Sequence, residues 1–356
     1  MFQVSVFQVI KNYWQKRTVR IVFWVGFGIW LTIASFLYLI CFSPNIRSEK
    51  PVYFYIPRGA SFEQVVDKLT KEKTIRSEQK FRQVSNWLGY PTTVKSGRYK
   101  LLPDMSTWSL VRLLRSGKQE PVKIHFENAR TKVELAEQLD NMLDLHRDEL
   151  LTLLEDKPLL DSLGFTPETA IALFIPNTYE VYWDIEPLHL IEKMNHYHKH
   201  FWNEARKAKA VAVSLNQLEI STLASIVQAE SYQLKERPII AGVYINRLRT
   251  GMPLQADPTI VFAWNDFNIN RVLNSHLSID SPYNTYKHKG LPPGPINCPS
   301  INAIDAVLNF EKHNYLYFCA KEDFSGYHSF ATNYQDHLTL ANRYQQALNK
   351  AKRKKK

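Results

Sequence analysis

A carboxylate on the apolar face of a helix is the feature of this sequence with the most chemical content. Residues 217–230 read Gln-Leu-Glu-Ile-Ser-Thr-Leu-Ala-Ser-Ile-Val-Gln-Ala-Glu. At about 100° per residue, Ile220, Leu223, Ala224, Ile226 and Val227 form a broad apolar arc, with Gln217, Ser221, Ser225 and Gln228 opposite. Glu230 falls inside the arc, between Ile226 and Leu223. Glu219 is angularly close but has a local explanation, because Asn216-Gln-Leu-Glu219 is a capping box and favours the helix dipole. Glu230 stands at the opposite end, where the dipole disfavours an anion. Two readings follow. One is a buried ion pair with Arg237 or Arg247. The other is a carboxyl whose pKa is raised by burial and the helix C-terminus, so that it donates a proton near neutrality. The helical pattern alone leaves both open.

The segments that follow shift the balance toward chemistry. Ala241-Gly-Val-Tyr-Ile-Asn-Arg-Leu-Arg-Thr-Gly251 reads as a second packed helix ending on glycine, with Asn246 and Arg247 as donors beside Val243, Tyr244 and Leu248. Gly251-Met-Pro-Leu-Gln-Ala-Asp-Pro258 is expected as a loop that holds Gln255 and Asp257 between two prolines. Ser281-Pro-Tyr283-Asn284-Thr285-Tyr286 and Gly290-Leu-Pro-Pro-Gly-Pro295 are stiff, aromatic and amide-rich. Proline preorganises such loops, and rigid aromatic faces with amides suit sugar rings and their hydroxyls. Each fragment alone is ordinary turn chemistry; their succession along one stretch is not.

The elements that must position these residues are mixed. Val52–Pro57 predicts a strand, Ser61-Phe-Glu-Gln64 a capped helix, Ser77 to Leu88 a second helix, and Gly97–Leu101 a short strand. A helix capped by Ser106 or Thr107 follows, ending near Gly117, so residues 51–118 make a small module. Val122–Phe126 predicts another strand, and Thr131-Lys-Val-Glu134 opens a further capped helix. Helical segments continue to about residue 210, interrupted by the aromatic run 174–183, with a long helix over 187–210. Later come a helix from Arg237 to Thr250, another from Ser300, and strands over 315–320 and 328–332. Helices and strands do not alternate regularly, so the expected class is α+β, with 122–349 as the larger catalytic domain. His196 and His200 stand at i, i+4 with His198 between them. There is no HExxH pattern and no carboxylate at ligand spacing, so a solvated helix face is expected and no metal or other cofactor.

The net charge of +11 is concentrated at the ends. Lys11, Lys16, Arg17 and Arg20 mark a basic segment over 1–20, and Lys350, Lys352, Arg353, Lys354, Lys355 and Lys356 a basic tail over 350–356. Without these ten cations residues 21–349 carry about +1, so nothing favours nucleic acid. Residues 21–42 carry no charge and are long enough, as a helix, for the ~30 Å hydrocarbon core. Positives before this run place the N-terminus in the cytoplasm and residues 43–356 outside, behind an uncleaved single-pass anchor. A lipid anchor at Cys41 is the rival, but Ile40 stands where such signals carry a small residue. Cys298 and Cys319 either pair or remain separate buried thiols.

Leu-Ala-Ser-Ile-Val-Gln-Ala-Glu230, Val-Tyr-Ile-Asn-Arg-Leu248, Gly-Met-Pro-Leu-Gln-Ala-Asp-Pro-Thr259, Tyr-Asn-Thr-Tyr286, Gly-Leu-Pro-Pro-Gly-Pro-Ile296 and His328-x-Phe-x-x-x-Asn with His337 resemble the endolytic murein transglycosylase (YceG-like) family. The resemblance covers the whole chain, including the anchor and, at 51–118, a module similar to LysM peptidoglycan-binding domains. It implies cleavage of nascent peptidoglycan glycan strands near the membrane, in the bacterial inner or cell membrane with the catalytic domain outside the cytoplasm. The catalytic glutamate matches Glu230, with Asn246, Arg247, Gln255, Asp257, Tyr283, Asn284, Thr285, Tyr286 and His328 toward substrate. Peptidoglycan synthases (penicillin-binding proteins) are the implied partners. The implied reaction breaks the bond between N-acetylmuramic acid and N-acetylglucosamine and leaves a 1,6-anhydro end, which one carboxyl can serve as acid and then base.

Two positions depart from the family pattern. Members often carry Glu where this chain has Gln228, and Phe-Pro-Asp-Thr-Tyr where it has Ile175-Pro-Asn-Thr-Tyr179. If the family's acid contributes charge to the site, Asn177 does not supply it; if it caps a turn, Asn177 serves as well. Two other functions compete. A water-using muramidase needs a second carboxylate, for which Asp257 or Glu236 are candidates. A non-catalytic wall-binding scaffold would recruit synthases and would not need Glu230.

Overall fold

The computed structural model describes residues 10, 14 and 17–354, so Lys11, Lys16, Lys355 and Lys356 of the basic ends lie outside the described residues. The chain divides into two units, Met1–Val122 with Tyr182–Asp184, and Lys123–Val181 with Ile185–Lys356. Both mix helix and strand, as the sequence predicts. The sheets among the described residues are two-stranded: β1–β2, β3–β4 and β5–β6.

The first unit begins with α1 (Arg17–Phe42), whose apolar side chains are largely exposed. Its 26 residues extend roughly 39 Å at about 1.5 Å each. Among the described residues it is the one helix that alone is long and apolar enough to cross a membrane. Next come β1 (Val52–Ile56), α2 (Phe62–Lys71), α3 (Glu78–Trp87), β2 (Gly97–Leu101) and α4 (Thr107–Ser116). β1 and β2 pair antiparallel, Phe54 opposite Tyr99. The expected local signals are all in use: Ser61 and Gln64 close a reciprocal capping box, Ser106 caps α4, and Gly117 ends it in a left-handed conformation. Phe54, Phe81, Tyr90 and Tyr99 fill the core, which also takes in Ile40 and Cys41 from the end of α1. Lys80 Nζ donates to Ser43 Oγ at 2.8 Å, just beyond that end.

The second unit opens with β3 (Val122–His125), α5 (Lys132–Asp140), α6 (Arg147–Leu153) and α7 (Lys157–Leu163), followed by β4 (Thr178–Val181). The aromatic interruption over 174–183 therefore contains a strand, which pairs with β3. The helix expected over 187–210 is two helices, α8 (Pro187–Phe201) and α9 (Glu204–Val213). Asn203 causes the break: its side chain accepts from Arg206 N and caps α9. His198 is not on a solvated face. It is buried against Phe165 and Trp202, and desolvation pushes its pKa down to about 4. α10 (Gln217–Glu230), α11 (Arg237–Arg249), α12 (Asp257–Trp264), α13 (Ile301–Leu308), β5 (Tyr317–Ala320), β6 (His328–Ala331) and α14 (Tyr334–Lys354) complete the unit. α14 carries Lys350, Lys352 and Arg353 as the continuation of a helix.

α10 is the centre of this unit. Every residue from Ile220 to Val227 is buried, and the helix packs on α9, α11, α12 and α13. The polar side opposite the apolar arc is therefore not a solvent face. Ser221, Thr222 and Ser225 are buried because their hydroxyls donate to Gln217 O, Leu218 O and Thr222 O at 2.9, 2.8 and 2.7 Å. Cys298 and Cys319 are separate free thiols, the first buried and the second half-buried.

α11 is fixed to the segment that leads into β5. A Cβ at Gly242 would stand 2.4 Å from Glu311 O, and Asn246 Nδ2 donates to His313 O at 2.7 Å and Tyr315 O at 3.1 Å. A Gly→Ala change in an unobstructed helix stabilises by ~0.4–1 kcal/mol. Gly242→Ala is expected to do the reverse and cost about 1–3 kcal/mol in denaturant unfolding, as overpacking does. A variant as stable as the parent would show that residues 311–313 yield.

Candidate active site

α10 ends at a cleft of about 910 Å³, whose walls include Glu230, Tyr232, Asp257, Phe262, Arg271 and Asn297. Ser231, in extended conformation, turns the chain away from the helix, so that Glu230 is the last helical residue and is half-buried on the cleft wall. Tyr244, fully buried on α11, donates its hydroxyl to Glu230 Oε1 at 2.6 Å. Burial raises the Glu230 pKa to about 7; the Tyr244 hydrogen bond and the Arg247 charge pull it down, while Asp257 pushes it up.

Among the described residues Glu230 makes no ion pair. Both candidate arginines are occupied. Arg237 donates to Ser231 O at 3.2 Å and Asn302 Oδ1 at 3.1 Å. Arg247 donates from Nε to Leu316 O at 2.6 Å and from Nη1 to Leu254 O at 2.5 Å. Arg247 therefore acts on Glu230 only as a charge at a distance.

The expected loop before Pro258 is in part the first turn of α12. Proline fits there because that turn has no intrahelical use for its N–H. Asp257 opens the helix on the cleft wall and accepts from Tyr286 OH at 2.5 Å. The 281–286 loop is tied to the same place. Thr285 Oγ1 accepts from Ala256 N at 3.0 Å and lies 2.9 Å from Thr259 Oγ1, and Thr285 O accepts from Gln255 N at 3.0 Å. Gln255 is exposed and sits at φ +50°. Asn284 is buried, with its Nδ2 donating to Leu277 O and Ile279 O, both at 2.9 Å.

The remaining expected residues lie elsewhere in the unit. Tyr283 packs on Phe262, ring centres 4.7 Å apart, and lines an adjoining cavity of about 230 Å³. His328 Nδ1 is 2.9 Å from Glu236 Oε2, and its backbone N–H donates to Glu236 Oε1 at 2.7 Å. Glu236, a candidate second acid, is thus buried and bonded to β6. The structure brings Glu230 and Asp257 to the cleft with Tyr286 beside Asp257; Asn246, Arg247, Asn284 and Thr285 spend their polar groups on the surrounding backbone.

Gln228 uses both ends of its amide. Nε2 donates to Asn297 Oδ1 at 3.1 Å and Cys298 O at 3.2 Å, and Oε1 accepts from Ser300 N at 2.9 Å. Asn297 Nδ2 donates in turn to Ser225 O at 2.8 Å. An acid at 228 would have no N–H for these acceptors. Asn177 Oδ1 accepts from Thr178 N at 2.7 Å, a local turn bond. Tyr244 and Tyr232 escaped the sequence reading. The signal for Tyr244 was a hydroxyl among the apolar residues of α11; nothing in the pattern marked Tyr232, which lines the cleft 98% exposed.

Comparison with known proteins places these features in a family context. The model of the YceG-like family matches residues 54–343. A Bacillus subtilis (strain 168) protein named endolytic murein transglycosylase is 29% identical, the match covering 78% of this chain and 80% of the relative. A protein of the same name from Streptococcus pneumoniae (strain ATCC BAA-255 / R6) is 30% identical, over 82% of this chain and 58% of the longer relative. A crystal structure of a yceG-like protein from Listeria monocytogenes aligns with TM-score 0.55 and 27% identity, over 82% of this chain and 99% of that one.

The raised pKa of Glu230 is also a statement about stability. The folded chain keeps a proton that the unfolded chain releases between the ordinary value of 4.5 and about 7. Glu230 therefore opposes folding increasingly as pH rises through that window, and fully above it. Glu230→Gln is expected to melt several degrees higher than the parent at pH 8, with the gap closing at pH 4.5. Equal gaps at both pH values in a scanning calorimeter would show that this carboxyl is not the titrating group.

Proposed function

The chain belongs to the YceG-like family, and from that premise we propose that it cuts glycan strands of peptidoglycan internally as a lytic transglycosylase, with Glu230 as its one acid and base. It is a peptidoglycan-cleaving enzyme of the lyase type. The observation that carries the reading is a carboxyl with a pKa near 7 on the wall of an open cleft. The cleft volume stands near the top of the ~300–1,000 Å³ range of ligand sites, large enough for an extended polar substrate.

In the proposed reaction protonated Glu230 gives its proton to the glycosidic oxygen, and the bond from that oxygen to C1 of N-acetylmuramic acid breaks. The muramyl C6 oxygen then bonds to C1, and its proton returns to the Glu230 carboxylate. The product ends in a 1,6-anhydro sugar, and Glu230 is again protonated. A group about half protonated at neutral pH suits both halves. No water is activated, so no second carboxylate is required, in contrast to paired-acid glycosidases. Asp257, Tyr286, Gln255 and Tyr283 are proposed to meet the sugars. Asn246, Arg247, Asn284, Thr285 and His328 are proposed to hold the elements that present them.

The finer organisation is proposed on the same premise. Residues 51–118 serve as a LysM-like wall-binding module and 122–349 as the catalytic domain. Residues 21–42 anchor the chain in the cell membrane with residues 1–20 in the cytoplasm. Termination of nascent strands beside peptidoglycan synthases follows from that location.

Incubation of the protein with uncrosslinked glycan strands, read by mass spectrometry, tests the reading. Anhydro-muramyl ends are expected from the parent chain. Glu230→Gln is expected to make them at least about a hundredfold more slowly, the scale of general acid–base catalysis. Reducing ends would indicate a muramidase, and uncut strands with both proteins would indicate a wall-binding scaffold.

A further inference from the structure

The hydroxyl of Tyr244 has one hydrogen to give, and it points at Oε1 of Glu230 from 2.6 Å. The tyrosine has almost no freedom to point elsewhere. It is 1% exposed, and its ring meets Phe318 edge-on with centres 5.9 Å apart. Its own proton is secure, since burial and the neighbouring carboxyl push its pKa well above the ordinary value of 10. With that hydrogen directed at Oε1, Oε1 is occupied as an acceptor, and the arrangement favours Oε2 as the seat of the proton on the neutral carboxyl.

We propose that Tyr244 is a positioning residue that makes the two oxygens of Glu230 inequivalent, reserving Oε2 as the single oxygen through which both proton transfers pass. The inference rests on the reaction proposed above and sharpens it. In the first half the Oε2–H bond breaks as the glycosidic oxygen takes the proton and parts from C1. In the second the C6 oxygen bonds to C1, and its proton forms a new Oε2–H bond. Oε1 keeps the same hydrogen bond throughout, so the carboxyl need not rotate between steps. The other groups that act on this carboxyl are Arg247 from α11, Asp257 from α12 and Tyr286 from the 281–286 loop. None of these three donates a hydrogen bond to Oε1.

The test is the titration of Glu230 itself, followed by carboxyl 13C NMR in the full chain and assigned by the signal lost in Glu230→Gln. Tyr244→Phe keeps the ring and its packing and removes only the donor. Because the hydrogen bond favours the carboxylate, its loss is expected to move the midpoint from near 7 upward by about one pH unit. The alkaline limb of kcat/KM for glycan cleavage is expected to move with it, with kcat falling about tenfold. Asp257→Asn removes a negative charge and is expected to move the midpoint down, which checks that the signal reports this site. A hydroxyl that only fills space would lower the melting temperature and leave the midpoint in place, and that result overturns the proposal. A midpoint that moves in a chain whose parent makes no anhydro ends upholds the tyrosine's hold on Oε1 and sinks the reaction assigned to the site instead.

Discussion

From Ile220 to Val227, α10 has no face left for water, and the rest of the second unit is arranged to satisfy that. A helix buried on all sides must find partners for its hydroxyls and amides within itself or in its neighbours. Ser221, Thr222 and Ser225 turn back to their own helix. Ser225 and Gln228 reach outward to residues 296–300 and fasten the proline-rich segment beside the helix. The last turn of the helix meets the cleft, where Ala229 is exposed and Glu230 brings its carboxyl to the wall. The scaffold that makes the helix rigid is thus the scaffold that delivers one carboxyl to the cleft.

The charge of that carboxyl is governed by opposing influences of different range. Burial and Asp257 favour the neutral form, while Tyr244 and Arg247 favour the anion. Neutralising it with a contacting arginine would have been the simpler arrangement. Instead Arg237 and Arg247 are held by backbone carbonyls and hydroxyl or amide oxygens, which leaves the carboxyl poised near neutrality. A comparable division is seen at Asp257, which accepts from Tyr286 and remains exposed at the same cleft.

Elements announced by a few adjacent residues were legible in the sequence. The Ser61 box, the Ser106 cap, Gly117 and the Asn216–Glu219 box each require only neighbours three residues away, and each marks a helix boundary in the structure. Asn203 sent the same kind of signal but was masked by helix-forming residues on both sides. Pro258 misled because a proline that stiffens a loop and one that starts a helix read alike until the following residues are placed. The solvent exposure of α10 and His198 could not be read locally, since it depends on what packs against the other face. Glu230 was visible because its type conflicted with its position. Tyr244 was not, because its ring agreed with the apolar surface of α11 and only its hydroxyl distinguished it.

The last turn of α1 has a mechanical meaning of its own. Ile40 and Cys41 are part of the same core as Phe54 and Tyr99, and Lys80 closes on Leu39 O and Ser43 immediately beyond. The end of the helix and the small module that follows therefore share one hydrophobic body. In a bilayer, rotation of α1 about its axis would turn the module with it, and tilt of the helix would tip the module by the same angle. Where a change in bilayer thickness is met by tilting of the helix, the module would tip with it.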